Sequence, residues 1–125
     1  MKLDLITLDD ANGEIVLYLV EDGPWPDDER EVSACASRIQ ERIFGALDVA
    51  VDGHLAKKYP EMKSDRIRIQ VDSPHGAPTW LSELIDQIGR CFEQNQECRD
   101  AIKNSPYVRA LRIVTGHQMR RFKGI

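Results

Sequence analysis

The side chains of this 125-residue chain that most obviously suggest chemistry stand together at Asp72-Ser73-Pro74-His75. A carboxylate, a hydroxyl and an imidazole are the parts of a nucleophilic triad, and His75 with Asp72 offers two metal-ligating groups. The rest of either machine is missing. There is no GxSxG turn, no HExxH or HxxxH, and no CxxC pair anywhere in the chain. The cluster reads as a polar turn with an exposed histidine. His54 follows a helix end, where it complements the dipole, and His117 belongs to a basic tail. The neighbouring carboxylates Asp9-Asp10 and Asp27-Asp28-Glu29 fall in loops or at a helix start, where hydration and capping account for them. General acid–base work needs a carboxylate whose pKa is raised by burial, and no sign of that exists here.

Three cysteines, Cys35, Cys91 and Cys98, make an odd count that fits reduced thiols better than a disulfide framework. Cys91 and Cys98 lie seven residues apart in what reads as one helix, which predicts a separation of about 10 Å, too far to bridge. The eight glycines are scattered and build no phosphate-cradling loop. The expectation is a protein without catalysis, cofactor or metal.

Residues suited to binding are easier to find. Trp25 is held between Pro24 and Pro26 in an acidic loop that continues through Asp27 and Asp28. Such a rigid aromatic is either core packing beneath the loop or an interface anchor, and Trp80 invites the same two readings. Arg66 and Arg68, with Arg112, fall on the wet side of two alternating strands. They read as a solvated sheet face or as a basic ladder for a partner.

The elements that position these residues follow from periodicity. Glu14 to Glu21 encloses six consecutive apolar residues between the turn signals Asn12-Gly13 and Gly23-Pro24, which makes it a central strand. Leu3 to Leu8 precedes it as the other arm of a hairpin. Asp28 with Glu31 reads as a helix N-cap and its capping-box partner. The apolar series Val32, Cys35, Ala36, Ile39, Ile43, Ala46, Leu47, Ala50 then defines one face of a long helix, with Arg38, Glu41, Arg42 and Asp48 facing water. Gly53 stops this helix, and a short His54–Lys58 turn precedes Tyr59-Pro60. Arg66 to Asp72 alternates strictly, as a strand with one buried and one wet face. Thr79 caps a second helix whose apolar face runs from Leu81 through Phe92 to Cys98 and Ile102, and Asn104-Ser105-Pro106 ends it. Val108 to Thr115 is a fourth strand. The order β-β-α-β-α-β describes an α/β (α+β) two-layer sandwich, a four-stranded sheet with two helices on one face, forming a single domain over 1–125 with a basic tail at 117–125. The opposite face should then expose an apolar strip around Tyr18, rimmed by Arg68 and Arg112.

Composition agrees with a soluble globular chain: 42% hydrophobic, 30% charged, and no apolar run near the ~20 residues that span a bilayer. No secretory leader is visible, so the cytoplasm is the expected compartment. The net charge of −4 is uneven. Residues 1–31 hold ten acidic against two basic side chains, −8, and residues 32–125 carry +4. A weakly acidic whole argues against nucleic acid as the partner.

Asp4-Leu5-Ile6, the Glu14–Glu21 strand with Pro24-Trp25, Ile39-Gln40-Glu41-Arg42-Ile43, Asp52-Gly53, Tyr59-Pro60 and the Arg66–Asp72 strand, in that order, resemble a small bacterial domain family of unknown function over residues 4–72. The chain departs from that family at Phe44, Ala46 and Val49. The resemblance implies the fold and supplies no activity. These readings converge on a non-enzymatic protein-binding domain that takes a protein partner, such as a basic bacterial toxin neutralised by an immunity-type protein, or a second copy in a homodimer. Tyr18, Trp25, Asp27, Asp28, Arg68 and Arg112 are its candidate contacts. A nucleic-acid binder using the arginine face and a small hydrolase using Asp72, Ser73 and His75 are the alternatives.

Overall fold

The computed structural model describes residues 5–21, 23–73 and 76–116. His75 and the 117–125 tail lie outside the described residues. Four strands, β1 (Leu5–Asp9), β2 (Glu14–Val20), β3 (Arg66–Asp72) and β4 (Ala110–Gly116), form one sheet in the order β1-β2-β3-β4. β1 and β2 are the antiparallel arms of a hairpin turned at Gly13, whose φ of 65° suits a residue without Cβ. β2, β3 and β4 run parallel, so each pair is joined by a helical crossover.

The first crossover is α1 (Glu29–Val51) followed by α2 (His54–Lys58). Asp28 caps α1, its carboxylate accepting from the backbone N–H groups of Arg30 at 2.8 Å and Glu31 at 3.4 Å. Ile39, Ile43, Ala46, Leu47 and Ala50 of α1 are buried, as the three- and four-residue steps require. Gly53 closes the helix with φ 90°, and a Cβ there would stand 2.5 Å from the Tyr107 ring.

The second crossover departs from expectation. Thr79 is the first helical residue and Pro78 occupies the cap position. The predicted continuous helix is two: α3 (Thr79–Gln94) and α4 (Gln96–Asn104), with the extended residue Asn95 between them. Asn95 ends α3 and caps α4, accepting from the Cys98 N–H at 3.1 Å.

Strand pleating sorts the sheet into two faces. Ile15, Leu17, Leu19, Ile67, Ile69 and Val71 point to the helices and form one core with the α1 stripe and with Leu81, Ile85, Ile88 and Phe92 of α3; Leu111 and Ile113 pack against it. Both crossovers therefore lie on the same side, giving the two-layer α+β arrangement. The outer face is not the expected wet one. Every β3 residue from Ile67 to Asp72 is buried, and Val16, on the outer side of β2, is fully enclosed. No described helix is long and apolar enough to cross a membrane.

Candidate functional site

The outer face is organised by charge. Glu14 opens β2 and is almost completely buried, yet it accepts from two arginines: Arg68 Nη1 reaches Oε1 at 3.0 Å, while Arg112 Nε and Nη2 grip both oxygens at 2.7 Å. Arg68 Nη1 also reaches Asp9 Oδ2 at 3.0 Å. In the sheet register Arg68 stands beside Val16 on β2 and Arg112 on β4. Strands are about 4.8 Å apart, so a β3 side chain that reaches β1 must lie flat across β2. The Arg68 stem therefore passes over Val16, which is fully enclosed although no described helix lies on this face. Arg112 crosses β3 in the same way to meet Glu14.

This overturns one expectation: Arg68 is not a solvated rim but a buried cover. The apolar strip is shut in at Val16, while Tyr18 is half-buried and its register neighbour Leu5 is exposed. The ion pairs set the acid strengths. The Arg112 guanidinium, helped by Arg68, holds the Glu14 carboxyl below its ordinary range against the opposing effect of burial. Asn12, and after it Arg68, lowers Asp9. Glu14 in turn raises Arg112.

A second cluster forms at the other end of the strands. Trp25 is half-buried against the core, donates from Nε1 to the Gly76 carbonyl at 3.0 Å and meets Trp80 edge-on, with centroids 5.7 Å apart and planes at 81°. The ring ties the β2–α1 loop to the β3–α3 loop. At the same end of the sheet, Glu21 is buried and paired with Arg38 at 2.9 Å and Arg42 at 2.5 Å. Both arginines were expected to face water; Arg38 does, with 54% of its side chain exposed, while Arg42 is 22% exposed, and their four-residue spacing places both over the end of β2. Asp72 is fully buried, its Oδ1 accepting from Gln70 Nε2 at 2.8 Å while Oδ2 has no partner among the described residues. Ser73 is buried beside it.

The six predicted contacts thus fall into two groups. Arg68 and Arg112 meet on Glu14, with Tyr18 on the same face. Trp25, Asp27 and Asp28 lie past the far end of β2, about 20 Å away by strand rise. Asp27 is exposed, and Asp28 is exposed while capping α1. Sequence reasoning missed Glu14, Glu21, Asp9 and Gln70. The signal for the first two was the pair of glutamates bracketing an apolar run, since a carboxylate abutting a central strand needs a cation.

A cleft of about 610 Å³ lies elsewhere, between β1 and the α1–α2 corner, lined by Ile6, Val49, Leu55 and Tyr59 with His54 and Lys57. His54 Nδ1 sits 2.8 Å from Asp52 Oδ1, and the His54 backbone N–H chiefly accounts for the lowered Asp52 carboxyl. A smaller cleft of about 340 Å³ adjoins the outer network, at Asn12, Glu14, Arg66 and Arg112. Comparison of the chain with protein-family models, with curated proteins and with solved structures gives no match.

Proposed function

We propose that this chain is a non-catalytic protein-binding domain of the immunity or inhibitor type, which takes a basic protein partner through the acidic segment that opens α1. The observation carrying this reading is the fixed position of that segment. Trp25 is pinned by Gly76 and Trp80, and Asp28 is pinned by its cap bonds, so Asp27, Glu29 and Glu31 stand exposed on a frame that is ordered in advance. Binding then costs little ordering entropy, and unpaired surface carboxylates steer a cationic partner during its approach. Arg68 and Arg112, which a nucleic-acid partner would need for its phosphates, are engaged by Glu14 and Asp9, and this favours protein over nucleic acid.

The test compares proteins that co-purify from the native cell with tagged wild type and with the variant Asp27→Lys/Glu29→Lys/Glu31→Lys. A basic protein enriched about tenfold with wild type and absent from the variant is the expected result. Identical sets from both, with the variant still folded by circular dichroism, remove this segment from the interface.

A further inference from the structure

Cys91 and Cys98 meet where α3 joins α4, with their Sγ atoms 4.0 Å apart. In an unbroken helix the same spacing places them about 10 Å apart. The extended residue Asn95 brings them together by letting α4 fold against α3. Both thiols are half-buried, and Cys98 is among the residues packed against the core. α4 contains no fully buried residue and rests chiefly on α3, with Cys98 and Ile102 as its apolar contacts. A covalent tie at this point would therefore fasten a helix that buries no residue of its own fully. The third thiol, Cys35, is on α1 beside Arg38 and belongs to a different part of the fold.

We propose that Cys91 and Cys98 are a reversible redox site, oxidised by a low-molecular-weight disulfide to an intrachain bond that locks α4 onto α3. The Cys91 thiolate attacks one sulfur of the oxidant, whose S–S bond breaks to release one thiol and leave a mixed disulfide on Cys91. The Cys98 thiolate then attacks Cys91 Sγ and displaces the second thiol. The protein loses two electrons and two protons, and the oxidant is reduced to two thiols. Burial, with Cys91 alongside, raises the Cys98 thiol above its ordinary range, and the same two steps balance with the cysteines exchanged. A disulfide needs sulfurs about 2.05 Å apart, so the pair must close by about 2 Å through side-chain rotation.

The experiment equilibrates the purified full chain with glutathione and its disulfide, alkylates free thiols and maps them by mass spectrometry. In oxidising buffer the chain should lose two hydrogens and keep one alkylatable thiol, at Cys35. Cys35→Ala should lose the same two hydrogens and keep none, whereas Cys91→Ala and Cys98→Ala should form no intrachain bond. The oxidised chain should melt about 5 °C above the reduced one, and the equilibrium constant for oxidation should be at least about tenfold higher for native than for guanidinium-denatured chain. Three alkylatable thiols in oxidising buffer, a lasting glutathione adduct, a bond to Cys35, or equal constants in native and denatured chain would each overturn the proposal.

Discussion

Replacing Glu14 with glutamine tests whether the outer sheet face is held by its ion pairs. The carboxylate is 5% exposed, the Arg68 side chain 10% and the Arg112 side chain 50%, so one partner is buried and the other half in water. Glutamine keeps one acceptor oxygen but turns an amide donor toward guanidinium donors, and it leaves Arg68 and Arg112, neighbours in register, without the charge between them. Removing one partner of a fully buried pair costs about 3–5 kcal/mol. Arg68 retains Asp9 and Arg112 can turn to solvent, so the expected loss is smaller, about 2–3 kcal/mol, or roughly 10 °C in Tm. The double variant Glu14→Leu/Arg68→Met removes the charges and keeps a stem over Val16, and its loss should be under about 1 kcal/mol. Acid supplies an independent check on the sign. Because the Glu14 pKa is depressed in the folded chain, its contribution is complete above the ordinary 4.5 and fades as pH falls through the lower folded value. The gap between wild type and Glu14→Gln in urea melts followed by circular dichroism should stay constant from about pH 7 to 5 and narrow below that. A single variant within about 0.5 kcal/mol of wild type at pH 7, or a gap that widens in acid, would refute the reasoning.

Trp25→Phe should keep the edge contact with Trp80 but lose the bond to the Gly76 carbonyl, at a cost of about 1 kcal/mol, while Trp25→Ala should cost about 2 kcal/mol; chemical denaturation followed through the remaining Trp80 fluorescence checks both. Equal losses would mean that the ring contact contributes nothing. Gly53→Ala should destabilise by about 2 kcal/mol, because a Cβ is strained at φ 90° and meets the Tyr107 ring. Adding Tyr107→Ala should relieve the steric share and leave the backbone share, so full rescue in thermal melts would show that φ is not the constraint.

Local pattern was enough for much of the fold. Asn12-Gly13 and the run it introduces gave the hairpin and a central strand, and strand parity correctly sent Ile67, Ile69 and Val71 to the helices and Arg68 and Gln70 away. Periodicity failed at Asn95. Cys91, Cys98 and Ile102 keep helical phase across the interruption, so the apolar stripe looks continuous although the backbone is not. The local clue was an asparagine, a favoured N-cap, just before the acidic Glu97 in the first turn of α4. The Cys91–Cys98 encounter depends on that break and was hidden with it.

The outer face was illegible for a different reason. A buried arginine and a solvated one produce the same alternation in sequence, and only register separates them. Arg68 finds Asp9 and Glu14 across 59 and 54 residues of chain, and Arg112 finds Glu14 across 98. The charge imbalance between the two parts of the chain was the trace this pairing left. Asp9, Glu14 and Glu21 from the acidic first quarter are answered by Arg68, Arg112, Arg38 and Arg42 from the basic remainder, so strand order brings the opposed charges together inside the fold. Part of what reads as an acidic module is thus internal neutralisation. Among the described residues of that first quarter, the exposed carboxylates left over, Asp10, Asp27, Asp28, Glu29 and Glu31, lie at the hairpin turn and at the start of α1. Four of these five are contiguous with the loop that Trp25 fixes. Under the proposed function a cationic partner would be drawn to one end of the sheet, and charge changes at Arg68 or Arg112 should alter stability without altering its approach.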